Sequence, residues 1–157
     1  MKYRVIQGKL KKMAIIRSTD RRIVTWDEVI VACKEMSKSI KARSWAPIKT
    51  LAPISRGGLV PATIVSYMTD IPIGFTINPA NQDLIRSDRN DICVIDDVCD
   101  TGETLCRVRE KFSHASFHVL FAKPMGLACS RAVWSSEDVA QHVWLQFPWA
   151  PNDEVNR

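Results

Sequence analysis

No apolar run in the 157 residues reaches the ~18 needed to span a bilayer. The opening stretch MKYRVIQGKLKKMAIIRSTDRR carries charges throughout, so the uninterrupted apolar segment of a secretory signal is missing. Neither secretion nor membrane insertion is expected, and the cytoplasm is the expected location. Paired C-x-x-C cysteines are also missing. The five cysteines, Cys33, Cys93, Cys99, Cys106 and Cys129, are odd in number, which fits reduced thiols better than a disulfide framework or a zinc knuckle. His114 and His118 are four apart, a chelating spacing only on a helix, and their segment HASFHVLFA reads as a strand. Neither G-x-G-x-x-G nor G-x-x-x-x-G-K-[ST] occurs, which removes the dinucleotide-binding and P-loop alternatives. There is no internal repeat or low-complexity tract.

What remains is ordinary globular composition, 46% hydrophobic and 25% charged, in a length that suits one domain with its own core. The net charge of +5 is uneven: residues 1–22 hold eight of the 22 Lys and Arg and one acid, Asp20. This basic N-terminal extension, residues 1–22, is expected to be a solvated segment ahead of a domain over 23–157. Attraction of phosphate-rich ligands or nucleic acid is the sharper reading. Because no aromatic beyond Tyr3 interleaves with the basic residues, nucleic acid is not expected as a partner.

The pattern along the chain alternates. Thr25 with Glu28 makes a capping box for a helix from Trp26 to Ala42, with Val24 and Val29 as its hydrophobic staple and Val29, Cys33, Met36 and Ile40 as its core stripe. Ile48–Ile54 reads as a strand, Ser55–Gly58 as a glycine-rich turn, and Leu59–Met68 as a helix that tolerates Pro61 in its first turn. Ile71–Ile77 reads as a second strand and residues 78–91 as a polar loop. Ile92–Ile95 is a short buried strand ending at Asp96–Asp97, Thr101–Gly102 opens a helix to Phe112, and Phe117–Ala122 and His142–Leu145 are strands. Alternating strands and helices predict an α/β fold with a mostly parallel sheet, whose ligands bind beyond the carboxyl ends of the strands.

The segment ICVIDDVCDTGETL, residues 92–105, stands at such an end. A tight turn leading into a helix offers unpaired backbone N–H groups and hydroxyls, which suit phosphate. Carboxylates suit sugar hydroxyls or the hydration shell of Mg²⁺. A ligand with a phosphate, a diol and a metal satisfies all of them together.

This segment resembles the phosphoribosyl pyrophosphate motif of the type I phosphoribosyltransferases: an apolar strand, two acids, then Asp-Thr-Gly-x-Thr. Val24-Thr-Trp-Asp27, Ser55-Arg-Gly-Gly-Leu-Val-Pro61, Phe121-Ala-Lys-Pro124 and Phe147-Pro-Trp149 follow in the order found in the bacterial xanthine-guanine enzymes. The basic extension has no counterpart in that resemblance.

The resemblance implies the type I phosphoribosyltransferase fold, a parallel twisted sheet flanked by helices, and an Mg²⁺-dependent reaction of phosphoribosyl pyrophosphate with a purine base. Thr101, Gly102, Glu103 and Thr104 would grip the 5′-phosphate. Asp96 and Asp97 would hold the ribose hydroxyls, partly through Mg²⁺, and Asp100 would handle the N7 proton of the purine. Arg56 and Gly57 match the pyrophosphate turn, where the family has a non-proline cis peptide. Lys123 would reach the C6 oxygen of a 6-oxopurine, Trp144 would stack on the base, and Leu145 would read the 2-position with its backbone. Cys99 reads as packing. A dimer or tetramer is implied, with contacts near Trp45 or Trp134.

The sequence departs from the family in two places. The mobile flap after the second strand is shortened to residues 78–91, and Asp83 stands where a basic residue is expected, leaving Arg86 or Arg89 to replace it. Gln146 replaces an acidic residue beside the base site, which bears on guanine against xanthine. Two alternatives stay open: a regulatory protein of this fold that senses phosphoribosyl pyrophosphate or nucleotides, and an enzyme acting on another base.

Overall fold

In the computed structural model, residues 20–44, 46–81, 86–128 and 133–150 are described in full, with the backbone alone at 3–6, 9–12 and 129–130. The basic segment begins with strands β1 (Tyr3–Ile6) and β2 (Lys9–Lys12), paired antiparallel. Residues 1–2, 7–8 and 13–19 of the expected extension lie outside the described residues, as does Trp45.

Strand β3 (Arg21–Ile23) precedes helix α1 (Trp26–Lys41). The capping box forms as its residue pattern requires: the Glu28 N–H donates to Thr25 Oγ1 at 3.2 Å, and the Thr25 N–H donates to Glu28 Oε2 at 2.7 Å. Val29, Cys33, Met36 and Ile40 are all buried along one stripe. Burial pushes the Cys33 thiol up to about 12, so it stays a neutral packing group.

Strand β4 (Thr50–Pro53) leads through the turn at 55–58 into α2 (Leu59–Thr69). Then come β5 (Ile92–Cys99), α3 (Glu103–Lys111), β6 (Ser116–Ala122), α4 (Pro124–Ser130), β7 (Val133–Asp138) and β8 (Trp144–Gln146). Strands β4, β5, β6 and β7 form one sheet in that order, every pair parallel. Helices α1 and α2 cover one face over Leu51, Cys93, Ile95 and Leu120; α3 covers the other over Val94, Phe117 and Val119, with Leu127 of α4 packed against the same cluster. This is the α/β sheet flanked by helices that the alternation predicts. Among the described residues no helix is long and apolar enough to cross a membrane.

Several expectations need correction. The strand expected at Ile71–Ile77 is reduced to two isolated parallel bridges, Leu51 with Ile73 and Ile54 with Ile77. Four steps separate the bridges on one side and three on the other, so the register slips by one residue, and Pro72 has no N–H for a ladder. The acidic strand does not stop at Ile95 but runs through Asp96 and Asp97 to Cys99, because β6 keeps pairing with it, Asp96 opposite Val119 and Cys99 opposite Ala122. Strand β3 pairs in parallel with β8. Arg22 binds both Glu28 and Glu137 and lies over the Phe121 ring, 5.3 Å from its centroid. Trp134 is half-buried rather than exposed: it packs against the core, its ring 5.3 Å from that of His118.

Candidate active site at the carboxyl ends of the strands

The turn after β4, the far end of β5, the start of α3, the end of β6 and strand β8 supply the expected residues. In the first, the Ser55–Arg56 peptide is cis. Arg56 is exposed, and Gly57 lies against Asp97 so closely that a Cβ would overlap the carboxyl group. Glycine is therefore what lets this turn approach the acidic pair.

Asp96 is buried, and Asp97 is partly so. The Asp97 N–H donates to Asp96 Oδ1 at 3.0 Å, and the Val98 N–H donates to Asp97 Oδ1 at 2.7 Å. Burial, reinforced by the neighbouring Asp97 charge, raises the Asp96 carboxyl well above the ordinary carboxylate range, and burial also raises Asp97. Mg²⁺ is commonly held by one or two carboxylates together with substrate phosphates. Among the described residues no cluster of three or more His, Cys, Asp or Glu forms. The donor set thus fits an ion that arrives with a phosphate ligand, not one caged by protein alone.

Beyond Cys99 the chain bends through Asp100 and Thr101 to Gly102, whose φ of 83° lies in the left-handed region that favours glycine. That reversal leads into α3, whose first-turn N–H groups have no carbonyl within the helix to bond, beside a cavity of about 90 Å³; the Glu103 N–H reaches Thr101 Oγ1 at 3.4 Å. Asp96, Asp100, Thr101, Gly102 and Thr104 line it, with Val98, Cys99 and Leu105 as its apolar wall. A phosphate-sized group would meet donors and a helix dipole there.

Lys123 follows β6 with only 4% of its surface exposed, and its Nζ donates to Asp100 Oδ2 at 3.0 Å. The other Asp100 oxygen accepts from Gln141 Nε2 at 2.9 Å. Gln141 belongs to no motif and is missed by sequence reasoning; only the folding of the loop before β8 brings it to Asp100. Trp144 is 54% exposed, whereas Leu145 is buried. The Trp144 N–H donates to the Asp20 carbonyl at 2.8 Å, and the Gln146 carbonyl accepts from the Val24 N–H at 2.9 Å. In a parallel ladder the residue between them directs its N–H and C=O the opposite way. The backbone groups of Leu145 therefore face away from β3.

The flap departure resolves against Arg89. This side chain makes a paired contact with Asp91, at 2.8 and 3.0 Å, and reaches Thr50 Oγ1 at 3.3 Å, all at the amino ends of β4 and β5. It sits at the opposite end of the sheet from the phosphate cavity. The neighbour of Arg86, Ser87, donates its N–H to the Lys111 carbonyl at the far end of α3, at 2.8 Å, while Arg107 of α3 holds the Pro79 carbonyl at 3.3 Å. The described parts of the 78–91 loop thus run down α3. Gln82, Asp83, Leu84 and Ile85 lie outside the described residues.

No protein-family model matches the chain. A xanthine-guanine phosphoribosyltransferase from Idiomarina loihiensis is 30% identical, over 80% of this chain and 84% of the relative. Among solved structures, a purine phosphoribosyltransferase from Pyrococcus horikoshii superposes with a TM-score of 0.66 at 22% identity, covering 88% of this chain and 99% of the other. A xanthine-guanine-hypoxanthine phosphoribosyltransferase from Helicobacter pylori superposes with a TM-score of 0.62 at 19% identity, covering 84% and 93%. The solved structures share the fold, the curated relative shares sequence over most of both chains, and the chain belongs to the type I phosphoribosyltransferase family.

Proposed function

We propose that the protein transfers the 5-phosphoribosyl group from phosphoribosyl pyrophosphate to N9 of a 6-oxopurine: guanine, xanthine or hypoxanthine. The observation that carries this reading is the Lys123–Asp100 pair, at 3.0 Å, beside the phosphate-sized cavity. It sets a cationic donor and a carboxylate acceptor side by side, matching O6 and N7–H, neighbouring groups on one edge of a 6-oxopurine. Adenine carries an amino donor at C6 and would confront the ammonium of Lys123 with no acceptor.

Thr101, Gly102, Glu103 and Thr104 hold the 5′-phosphate at the α3 N-terminus, and Asp96 and Asp97 hold the ribose hydroxyls. Arg56 and the Gly57 backbone face the pyrophosphate. Mg²⁺ bound with the substrate at Asp96 and Asp97 would offset the charge of the leaving group. As N9 bonds to C1′, the C1′–oxygen bond to pyrophosphate breaks and Asp100 accepts the proton from N7. Trp144 stacks on the base, and Leu145 reads the 2-position. The chain's contribution is alignment of two bound reactants and electrostatic stabilisation; no covalent enzyme intermediate and no cysteine is required.

A dimer or tetramer belongs to the same reading. It is supported by α2, where Leu59 and Tyr67 stand exposed on a helix whose other face is already buried. The test of function is pyrophosphate release from phosphoribosyl pyrophosphate and Mg²⁺ with each candidate base. Release with 6-oxopurines supports the reading; release with none of them contradicts it.

A further inference from the structure

The loop joining β7 to β8 places one uncharged side chain between two parts of the candidate site. Gln141 Oε1 accepts from the Met125 N–H at 3.0 Å, and its Nε2 donates to Asp100 Oδ1 at 2.9 Å. A backbone N–H can only donate, so the amide oxygen must face Met125 and the amide nitrogen must face Asp100. Lys123, on the other oxygen, also can only donate. Both Asp100 oxygens therefore meet donors. The two donors differ in one respect. Lys123 is the group a purine O6 would recruit, whereas Gln141 is anchored to α4 and makes no call on the substrate.

We propose that Gln141 is the positioning residue of Asp100. It holds the carboxylate in place, as an acceptor, while Lys123 turns from Asp100 to the purine. The inference rests on the phosphoribosyl-transfer reading for its kinetic consequence, but not for its structural one. The bonds of Gln141 go to Asp100 and to the Met125 N–H, so it acts through the carboxylate.

Gln141→Glu and Gln141→Leu separate positioning from architecture. Glutamate has the same shape and keeps an oxygen for the Met125 N–H, but puts an acceptor against Asp100; leucine loses both bonds. Steady-state pyrophosphate release with guanine should show kcat reduced about ten- to a hundredfold in both variants, the size expected for losing a charge-assisted hydrogen bond. KM for phosphoribosyl pyrophosphate should stay within about twofold, because the 5′-phosphate and ribose contacts are elsewhere. Wild-type kcat in Gln141→Glu, with loss only in Gln141→Leu, would overturn the proposal and leave Gln141 as an α4 anchor. A second measurement needs no turnover: in a crystal structure of the Lys123→Ala variant, Asp100 should remain bonded to Gln141 Nε2. A carboxylate swung away from Gln141 overturns the proposal whether or not the wild type transfers phosphoribosyl groups. A wild type that transfers to no base defeats the functional reading, and the structural result still decides the role of Gln141.

Discussion

Gly57, in the turn after β4, and Asp97, in β5, approach so closely that no side chain fits between them. The obstacle to a Cβ is the carboxyl group at the end of the Asp97 side chain, and that end can rotate. Gly57→Ala should therefore fold, with Asp97 displaced from its bond to the Val98 N–H. Loss of a properly aimed carboxylate should raise KM for phosphoribosyl pyrophosphate about tenfold or more, while KM for the base changes less. Equal KM values for mutant and wild type would remove the link between the turn and the acidic pair.

Asp96 and Asp97 oppose stability at neutral pH. Their proton affinities are raised in the folded chain, so the native state holds protons that the unfolded state has already released. Stability should fall as pH rises from about 4, the ordinary aspartate value, through the raised native values. The double variant Asp96→Asn with Asp97→Asn should be at least as stable as the wild type at pH 7 and should show a flatter pH dependence. It should also lose Mg²⁺-dependent turnover. Thermal unfolding between pH 4 and 8 checks the first point, and wild-type turnover by the variant would remove the ribose and metal assignment.

Lys123→Ala should raise KM for a 6-oxopurine about ten- to a hundredfold, the worth of one charge-assisted hydrogen bond. KM for phosphoribosyl pyrophosphate should move much less. An effect of equal size on both substrates would make Lys123 a structural partner of Asp100 and nothing more.

The N-terminal segment divides at β3. Removing residues 1–19 should leave kcat nearly unchanged, since β3 and its anchors begin beyond them. Removing residues 1–23 takes away the strand that pairs with Trp144–Gln146, and it should raise KM for the base. Arg22→Ala should reproduce part of that effect. Glu28, which caps α1 and binds Arg22, is held down at about 2, first by its hydrogen bond from Arg22 and then by those from Thr25. Its contribution is present above the ordinary glutamate value, about 4.3, and is lost as pH falls toward 2. Glu28→Gln should flatten stability over that interval. The pair is part-exposed and screened by salt, so the expected effect is about 1 kcal/mol or less.

What the sequence shows clearly is what local chemistry enforces. Thr25 and Glu28 announce their helix start, the Val29–Ile40 stripe its buried face, and Asp100–Thr104 the turn into α3. What stays hidden depends on partners distant in the chain. Asp96 looks like a residue beyond a strand because the apolar run stops at Ile95, yet β6 supplies hydrogen bonds that carry β5 on to Cys99. Strand β7 has no apolar run to mark it, because Ser135, Ser136, Glu137 and Asp138 are polar, as an edge strand allows. Helix α4 is too short, at 7 residues, to show a period. Arg21 and Arg22 look like the end of a solvated basic tail until Glu28 and Glu137 are seen around Arg22. Gln141 carries no motif and becomes meaningful only where its loop meets Asp100.

The central claim is that Lys123 and Asp100 together select a 6-oxopurine for phosphoribosyl transfer. The most direct test is initial-rate pyrophosphate release from phosphoribosyl pyrophosphate and Mg²⁺, with guanine, xanthine, hypoxanthine, adenine and uracil supplied separately. The account predicts release, with formation of the N9 nucleotide, for at least one of the first three and none above background for adenine or uracil. Adenine as the preferred substrate, or no release with any base, would contradict it.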